Sequence, residues 1–331
     1  MTALRVPAPA KINLVLRILG RREDGYHDLD TLFQAISLGD EVTLRPATSS
    51  GIHLTVVGAD VGPVGDNLAF RAAQSWSDAA GIDPRVTIRL SKRVPAGAGL
   101  GGGSSDAGAV LRGLEAMHGA PLGPSGIAEI GSDLGADVPF FCGSAGLARG
   151  EGIGERLTPL PALPVRHLIV AVPPVPVPTA GAYGWLAAAR APAGPTAEPA
   201  GATRTTEAAD PVVDAVRRDL DRLSGSGTPP TWHDIDVLAS NDFHDVVADR
   251  VPDVGAVIER LEAVGLDGVL LSGSGGAVFG FLPGDGEPSG ESERVVEQLR
   301  ETLPGVRTFA VRTLPTLPPP EPVDADAADR P

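Results

Sequence analysis

The sequence is poor in cysteine, which limits how the fold can be stabilised. Only one cysteine, Cys142, occurs among 331 residues, so a framework of intramolecular disulfides is excluded and a reducing compartment is expected. Cys142 lies in the apolar run VPFFCG, where we expect a small buried core residue and not a nucleophile. With 42% hydrophobic residues, the chain can form one large domain or two ordinary ones, and we predict two.

Positive charge is also scarce. The formal net charge is −15 at pH 7, which argues against a nucleic-acid partner because such surfaces need clustered Lys and Arg. An anionic ligand must then be bound by a local arrangement of groups. Lysine is rarer still, since only Lys11 and Lys92 among the 27 basic residues are lysines. Because a compact ammonium and a planar guanidinium do different chemistry, these two lysines are candidate functional residues.

The N-terminal region lacks a long hydrophobic run. Its sequence, MTALRVPAPAKINLVLRILG, contains only the short apolar stretch INLVL before charge returns. That stretch is too short for a secretory hydrophobic region or a membrane span. We therefore predict a cytoplasmic protein without a membrane partner.

The first part of the chain carries patterns of both strands and helices. Alternating apolar residues predict strands at 11–19, 41–46, 51–58 and 85–90. Helical spacing predicts helices at 67–81, 104–119 and 126–135. The apolar segment 137–143 is predicted to be a buried strand or turn. This order is neither all β nor regular βαβ, so we predict an α+β first domain over residues 1–164.

A second domain is predicted over residues 165–314. Strand patterns occur at 166–174, 268–273, 277–282 and 307–313, and helical patterns at 210–223, 254–265 and 292–305. Their alternation lacks a parallel-sheet rhythm and favours an α+β sandwich. Composition predicts a low-complexity insertion around 187–210 and a disordered acidic tail at 315–331.

A glycine-rich segment, VPAGAGLGGGSSDAG at 94–108, precedes the helix predicted at 104–119. Gly97, Gly99 and Gly102 satisfy the dinucleotide pattern GxGxxG, but this match is weak because another helix, and not a strand, follows. A Walker loop is excluded because no lysine precedes Ser104. What remains is an anion cradle of backbone N–H groups, hydroxyls and a helix N-terminus, for which we expect a polyphosphate. On these residues alone, a glycine turn that serves only tight packing stays an alternative.

Several segments resemble the GHMP kinases. PAGAGLGGGSSDAG resembles their phosphate loop, and LSGSGGAVFG at 271–280 resembles their third, glycine-rich motif. PAKINLVLRILGRREDGYHDLDTLFQAISLGDEV, together with GADVPFF at 135–141, is similar to the 4-diphosphocytidyl-2-C-methyl-D-erythritol kinases within that group. The resemblance runs from about Pro7 to about Leu314. This chain departs from the pattern at Ala98, at Asp106 where Asn is common, and in a long excursion after Leu186.

The resemblance implies a two-domain GHMP kinase fold of the α+β class, with an N-terminal α/β ATP-binding domain and a C-terminal ferredoxin-like α+β sandwich. It implies ATP-dependent phosphorylation of the 2-hydroxyl of 4-diphosphocytidyl-2-C-methyl-D-erythritol, a cytidine diphosphate substrate of non-mevalonate isoprenoid biosynthesis, with Mg²⁺ assisting. Two alternatives remain: a small-molecule kinase of the homoserine or mevalonate type, and a catalytically silent nucleotide-binding member of the fold. A monomer or weak homodimer is expected.

The resemblance also implies roles for particular residues. Lys11 and Asp137 are the expected catalytic pair, with Asp137 as the base. The expected substrate-binding residues are Asn13, Tyr26, His27, Thr179 and Tyr183, the last in place of a more usual Phe. The expected ATP-binding residues are Asn67, Leu68, Lys92, Pro95, Ala96, Gly97, Ala98, Gly99, Leu100, Gly101, Gly102, Gly103, Ser104 and Ser105. Ser105 is also a candidate Mg²⁺ ligand. Without the resemblance, Lys11 would be interpreted as a surface residue near a strand edge and Asp137 as a helix or turn cap. For Lys92, a solvated lysine at a strand end stays an alternative to contact with the nucleotide.

Overall fold

The computed structural model describes residues 2–59, 62–191, 211–225, 229–284 and 290–324. Its strands are β1 (Ala3–Arg21), β2 (His27–Pro46), β3 (Ile52–Val57), β4 (Val86–Ser91), β5 (Leu147–Gly152), β6 (Arg156–Pro159), β7 (His167–Val172), β8 (Ser240–Asn241), β9 (Asp267–Leu271), β10 (Val278–Phe281), β11 (Arg307–Arg312) and β12 (Glu321–Val323). Its helices are α1 (Leu68–Ala80), α2 (Gly102–His118), α3 (Gly123–Leu134), α4 (Val138–Cys142), α5 (Thr179–Arg190), α6 (Pro211–Gly225), α7 (Trp232–Leu238), α8 (His244–Arg250), α9 (Pro252–Ala263) and α10 (Glu291–Thr302). Over these residues, no helix has the length and apolar character needed to cross a bilayer.

The larger sheet is built on the long antiparallel pair β1–β2. Its strand order is β12-β1-β2-β4-β3, with β5 paired to the first part of β2, β6 to β5 and β8 to β1. β3 and β4 run parallel, and α1 lies in the connection between them. Helices α1, α2 and α3 pack on this sheet through a buried core that includes Val6, Leu44, Trp76 and Leu111.

The smaller sheet has the order β11-β7-β10-β9, and its pairings are antiparallel. Numbered along the chain, these strands stand in the order 4-1-3-2, with helices between the first and second and between the third and fourth. This is the ferredoxin-like arrangement. The predicted α+β sandwich is therefore confirmed, and its helices pack on it through Leu261, Leu299 and Ile169.

A common hydrophobic core joins the two sheets. Ile12 and Leu14 of β1 lie in the same buried cluster as Leu168 and Val170 of β7 and Phe279 of β10, each at most 1% exposed. Burial of apolar side chains on this scale is the main favourable contribution to folding. The strand that carries Lys11 is therefore held firmly between the helical layer and the second sheet.

Local sequence signals explain where several elements begin and end. The helix predicted at 67–81 is α1, because the Asn67 side chain accepts a hydrogen bond from the Ala69 N–H at 2.9 Å and Gly81 adopts a left-handed conformation with φ of 65°. Cys142 is buried as predicted. Burial raises the pKa of its thiol to about 12, so it is not a reactive thiolate.

The prediction of a strand or turn at 137–143 is wrong, since residues Val138–Cys142 form the short buried helix α4. A run of five apolar residues has no period that distinguishes a buried strand from a buried helical turn. The helix predicted from 104 begins at Gly102, so the glycines of the loop supply its first turn.

The prediction of a disordered tail at 315–331 is wrong for its first ten residues. β12 pairs with β1, with Ala3 opposite Val323, and Leu317 is only 4% exposed. The many prolines are tolerated because β12 lies at the edge of the sheet, where a missing N–H leaves no central hydrogen bond unmade. Residues 325–331 lie outside the described residues. Of the insertion predicted around 187–210, residues 187–190 end α5, and 192–210 lie outside the described residues.

Truncation after Pro318 is expected to lower the free energy of unfolding by about 1–3 kcal/mol, because it removes the β1–β12 hydrogen bonds. Truncation after Asp324 retains β12 and the Arg5–Glu321 ion pair at 2.6 Å, so it is the matched control. Urea denaturation of the two truncated chains measures the difference. Equal stability of both would show that β12 contributes nothing to the folded state.

Candidate active site

A cavity of about 1040 Å³ lies where the larger sheet, the glycine-rich loop and α5 meet. It is lined by every residue predicted to be catalytic or to bind the acceptor substrate: Lys11, Asn13, Tyr26, His27, Asp137, Thr179 and Tyr183. Gly99 and Gly101 of the glycine-rich loop also line it. The fold therefore brings segments far apart in sequence into one open site.

At the centre of the cavity lies an ammonium group against a carboxylate. Lys11 Nζ is 3.3 Å from Asp137 Oδ2 and donates a hydrogen bond to Asn13 Oδ1 at 2.8 Å. The Lys11 side chain is only 5% exposed, whereas that of Asp137 is 31% exposed and faces the cavity. Asp137 occupies the N-cap position of α4, but its side chain makes no capping hydrogen bond. Its carboxylate is thus available to a ligand, which disfavours the interpretation as a cap.

The glycine-rich loop between β4 and α2 exposes backbone at a helix start. Gly97, Gly99 and Gly101 have φ values of +67°, +79° and +70°, a conformation that favours glycine. Gly101 is the N-cap of the 17-residue α2 and has no side chain with which to cap it. Open N–H groups at the first turn, together with the helix dipole, make this loop suited to bind phosphate groups.

The second domain supports the loop from behind. A Cβ on Gly99 would lie 2.1 Å from the Ser272 carbonyl oxygen, so only glycine fits. Ser272 Oγ donates a hydrogen bond to the Gly99 carbonyl at 3.0 Å, and the Ala277 N–H donates to the Ala98 carbonyl at 3.0 Å. The glycine-rich segment 271–280 therefore packs against the loop.

Aromatic rings form the other end of the cavity. The His27 ring stacks on Tyr183 with centroids 4.4 Å apart, and Phe243 meets Tyr183 edge-on at 4.8 Å. Burial and then the charges of Arg21 and Arg190 lower the pKa of His27. The imidazole is therefore neutral at pH 7 and offers one donor and one acceptor to a ligand. Burial, with a smaller effect of Asp137, raises the pKa of Tyr183.

Comparison with known proteins identifies the family. The GHMP kinases N terminal domain model matches residues 67–144, and the GHMP kinases C terminal model matches residues 233–305. A 4-diphosphocytidyl-2-C-methyl-D-erythritol kinase of Moorella thermoacetica is 40% identical over 317 residues, which cover 95% of this chain and 100% of that protein. The chain belongs to the 4-diphosphocytidyl-2-C-methyl-D-erythritol kinase family.

Solved structures agree with this family and show how widely the fold is shared. A crystal structure of a 4-(cytidine 5'-diphospho)-2C-methyl-D-erythritol kinase has a TM-score of 0.67 at 38% identity and covers 93% of this chain and 98% of its own. A homoserine kinase from Cytophaga hutchinsonii has a TM-score of 0.70 at only 17% identity, with 98% of both chains covered. The second likeness concerns the fold alone.

Most of the residues that the resemblance predicts to bind ATP fall into two groups, those accessible near the start of α2 and those with buried or engaged side chains. Ala96 and Gly97 are exposed at the tip of the loop, and Gly101, Gly102, Gly103 and Ser104 form the first turn of α2 around its open N–H groups. Leu68 lies beside them, 3.6 Å from where a Gly103 Cβ would be. By contrast, the structure buries the side chains of Pro95, Ala98 and Leu100 and uses the Asn67 side chain to cap α1. These four residues shape the loop and its surroundings from within.

Two residues that were predicted to contact ATP or Mg²⁺ have buried side chains with partners inside the protein. Ser105 is fully buried and its hydroxyl donates to the Pro9 carbonyl at 2.7 Å, so the side chain is inaccessible to a Mg²⁺ ion in this conformation. The Lys92 side chain is 6% exposed, and its ammonium is bound between Asp40 and Asp106, the latter at 2.6 Å. The charge of Lys92 is thus compensated within the protein, and Asp40 also accepts hydrogen bonds from the N–H groups of Arg93 and Val94 at the start of the loop.

Asp106, which stands where the family commonly has Asn, points into this buried ion cluster. Its Oδ2 accepts the hydrogen bond from Lys92, whereas its Oδ1 is buried without a hydrogen-bond partner. Burial, together with the nearby Asp40, raises the pKa of Asp106 to about 8 in spite of Lys92. The buried carboxyl is therefore more readily protonated than an exposed aspartate.

The motifs did not single out several residues that line the cavity. Arg21 stands opposite His27 in the β1–β2 register, and Thr31 and Phe33 follow on the same strand at alternate positions. Period-two alternation from the predicted His27 would have placed these β2 side chains on the cavity face. Phe243 comes from the second domain, and no local pattern indicates that it reaches the site, whereas Ser274 lies in the glycine-rich motif at 271–280 and also lines the cavity.

Replacement of Gly99 by alanine is expected to weaken ATP binding at least about tenfold, because the new Cβ collides with the Ser272 carbonyl and displaces the loop. Gly119→Ala at the C-terminal end of α2 is the matched control, since Gly119 has a φ of +78° but no atom within 4 Å of the added Cβ. It should cost about 1 kcal/mol of stability and leave ATP affinity nearly unchanged. Calorimetric titration with ATP measures both variants. Equal losses of ATP affinity would show that the close approach of Gly99 to the Ser272 carbonyl does not matter for binding.

Asp106→Asn is expected to stabilise the protein by about 1–3 kcal/mol at pH 9 and by less at pH 5. In the folded chain the Asp106 carboxyl holds its proton up to about pH 8, whereas its ordinary pKa is 3.8. Because the folded state binds more protons between these values, wild-type stability falls as pH rises through them, and Asn cannot ionise. Urea denaturation at the two pH values tests this, with the exposed Asp78→Asn as control. If the unfolding free energies of Asp106→Asn and the wild type differ by the same amount at both pH values, the raised pKa of Asp106 is contradicted.

Proposed function

We propose that this chain transfers the γ-phosphoryl group of ATP to the 2-hydroxyl of 4-diphosphocytidyl-2-C-methyl-D-erythritol. The observation that carries the proposal is the position of the Lys11–Asp137 pair between the phosphate loop and the His27–Tyr183 stack in one cavity. A Cβ on Gly101 would lie 3.1 Å from Lys11 Cγ, so the Lys11 side chain packs against the start of α2. Phosphate donor and alcohol acceptor would thus meet at Lys11.

The chemistry assigned to these residues follows from phosphoryl transfer. Asp137 would accept the proton of the attacking hydroxyl, and its partial exposure leaves it open to the acceptor. Lys11 would stabilise the developing negative charge on the transferred group and on the attacking oxygen. The N–H groups of the first turn of α2 would hold the phosphates in line with that oxygen.

The aromatic end of the cavity favours a substrate with a base over the sibling kinases. A pyrimidine can stack on Tyr183 or Tyr26, and neutral His27 can hydrogen-bond its edge. Arg21 also lines the cavity and is suited to face a diphosphate. Homoserine and mevalonate carry no base to stack. A silent nucleotide-binding protein would have no chemical need for the buried Lys11 beside a partly exposed Asp137.

Mg²⁺ is proposed to bind together with ATP. Over the described residues, no three His, Cys, Asp or Glu side chains are grouped as a metal site, and the Ser105 side chain is buried. The phosphate oxygens would therefore supply most of the ligands, and the bound ion would neutralise phosphate charge. A cytoplasmic location and a monomer or weak homodimer remain predictions from the sequence.

The direct experiment is to incubate the purified chain with ATP, Mg²⁺ and the cytidylyl substrate, and to identify the phosphorylated position by ³¹P NMR. We expect the 2-phosphate product. Homoserine and mevalonate are offered in parallel. Turnover of one of these, with none of the cytidylyl substrate, would overturn the proposal.

Asp137→Asn is expected to lower kcat at least about 100-fold because the amide cannot accept the proton, while ATP affinity is retained. Asp133→Asn is the matched control, since Asp133 also lines the cavity but belongs to α3 and has no place in the proposed mechanism. Steady-state kinetics and ATP titration measure both variants. Loss of ATP binding together with turnover in Asp137→Asn would assign this residue to folding.

A further inference from the structure

A buried hydroxyl group lies directly behind the Lys11–Asn13 contact. Thr31 of β2 is 0% exposed, and its Oγ1 is 2.7 Å from Asn13 Nδ2 and 2.7 Å from the Val15 carbonyl oxygen. Asn13 and Lys11 are themselves 2% and 4% exposed. In such a setting an unmade hydrogen bond is costly, since no water can replace the missing partner.

The hydrogen-bonding capacities of these groups fix their orientation. A threonine hydroxyl has one proton, and a carbonyl oxygen can only accept, so the Thr31 proton goes to Val15. Thr31 Oγ1 then has only acceptor capacity left for Asn13, which must present its NH₂ group to it. The Asn13 oxygen therefore faces Lys11, whose ammonium can only donate. The flipped amide would set two donors against each other at Lys11 and two lone pairs against each other at Thr31.

A β-bulge makes this chain of contacts possible. Asn13 pairs with Phe33 and Val15 pairs with Leu32, so two steps along β1 correspond to one step along β2. Such a bulge re-aims side chains and twists the strand locally. Here it accompanies the contact of Asn13 with Thr31, which is two positions from its register partner.

We propose that Thr31 is a positioning residue for phosphoryl transfer: it orients the Asn13 amide, and through it the Lys11 ammonium, toward Asp137 and the acceptor hydroxyl. In this proposal Thr31 itself contacts neither ATP nor the reacting atoms. The inference rests on the proposed function for its link to turnover, but the orientation itself is a property of the free protein. The Lys11 ammonium also lies 5.3 Å from the centroid of the Phe33 ring. If the Asn13 acceptor is lost, the ammonium can therefore move toward this ring.

The small number of lysines makes a direct test possible. A chain labelled with ¹³C-lysine gives signals from Lys11 and Lys92 alone. In Thr31→Val, which keeps the shape and loses the hydroxyl, the Lys11 ε-methylene signal is expected to move, whereas in Thr31→Ser it stays near the wild-type position. The Lys92 signal is the internal control, because its carboxylate partners are Asp40 and Asp106. An unmoved Lys11 signal in a folded Thr31→Val chain would overturn the inference whatever the enzyme's substrate.

Kinetics then connect the orientation to catalysis. Thr31→Val is expected to lower kcat about tenfold or more with the KM for ATP unchanged, and Thr31→Ser to restore it. Because Thr31 acts through Asn13, Thr31→Val should cause no further loss of kcat in an Asn13→Ala background. Additive losses would overturn the inference. Absence of cytidylyl phosphorylation by the wild type would instead refute the proposed function, and the lysine signals would still decide the orientation.

Discussion

Hydrogen bonds between β1 and β2 extend from the Leu4–Leu44 pair to the Arg21–His27 pair, with three irregularities in register along the way. This one ladder carries the ammonium, the amide that orients it and one of the stacking rings, and most other features of the site depend on it. Its strands are buried on both sides, by the helical layer and by the second sheet. Because packing at this density leaves little room for movement, the polar groups on the ladder are held in place by the hydrophobic core.

The second constraint is the contact between the two domains at the phosphate loop. Ser272 and Ala277 hold the backbone of residues 98–99, while the Lys11 N–H donates to the Leu100 carbonyl at 3.0 Å. The loop is therefore fixed on one side by the strand that carries the proposed catalytic lysine and on the other by the second domain. Asn241 extends this support, since its amide donates to the carbonyls of Leu271 and Gly273 at 2.7 and 2.9 Å. Ser274 in turn contacts Thr179 of α5 at 3.1 Å, so the phosphate end and the aromatic end of the cavity share one support.

Sequence reasoning succeeded where function depends on contiguous motifs. The glycine-rich loop, the segment around Asp137 and the Tyr26–His27 turn are short patterns with a direct physical meaning, and the structure brings them to one cavity. It failed where the outcome depends on distant partners. The ammonium of Lys92 turns inward because Asp40, 52 positions away, lies beneath it. The proline-rich residues 315–324 are ordered through the pairing of β12 with β1, which no local composition reveals. The proposed role of Thr31 depends on a bulge that alternation alone does not show.

The burial of both lysines has a consequence for the outer surface of the protein. The side chains of Lys11 and Lys92 are 5% and 6% exposed, and the chain has no others, so every other basic side chain except histidine is an arginine. Amine-directed chemistry, such as acetyl transfer or crosslinking by activated esters, therefore finds no lysine on the outside of the folded chain. The guanidinium groups that remain keep their charge at any physiological pH and resist such reagents. Apart from histidine, the basic side chains on the outside of the protein are thus arginines, and the lysine ammonium groups are confined to the site and to the ion cluster with Asp40 and Asp106.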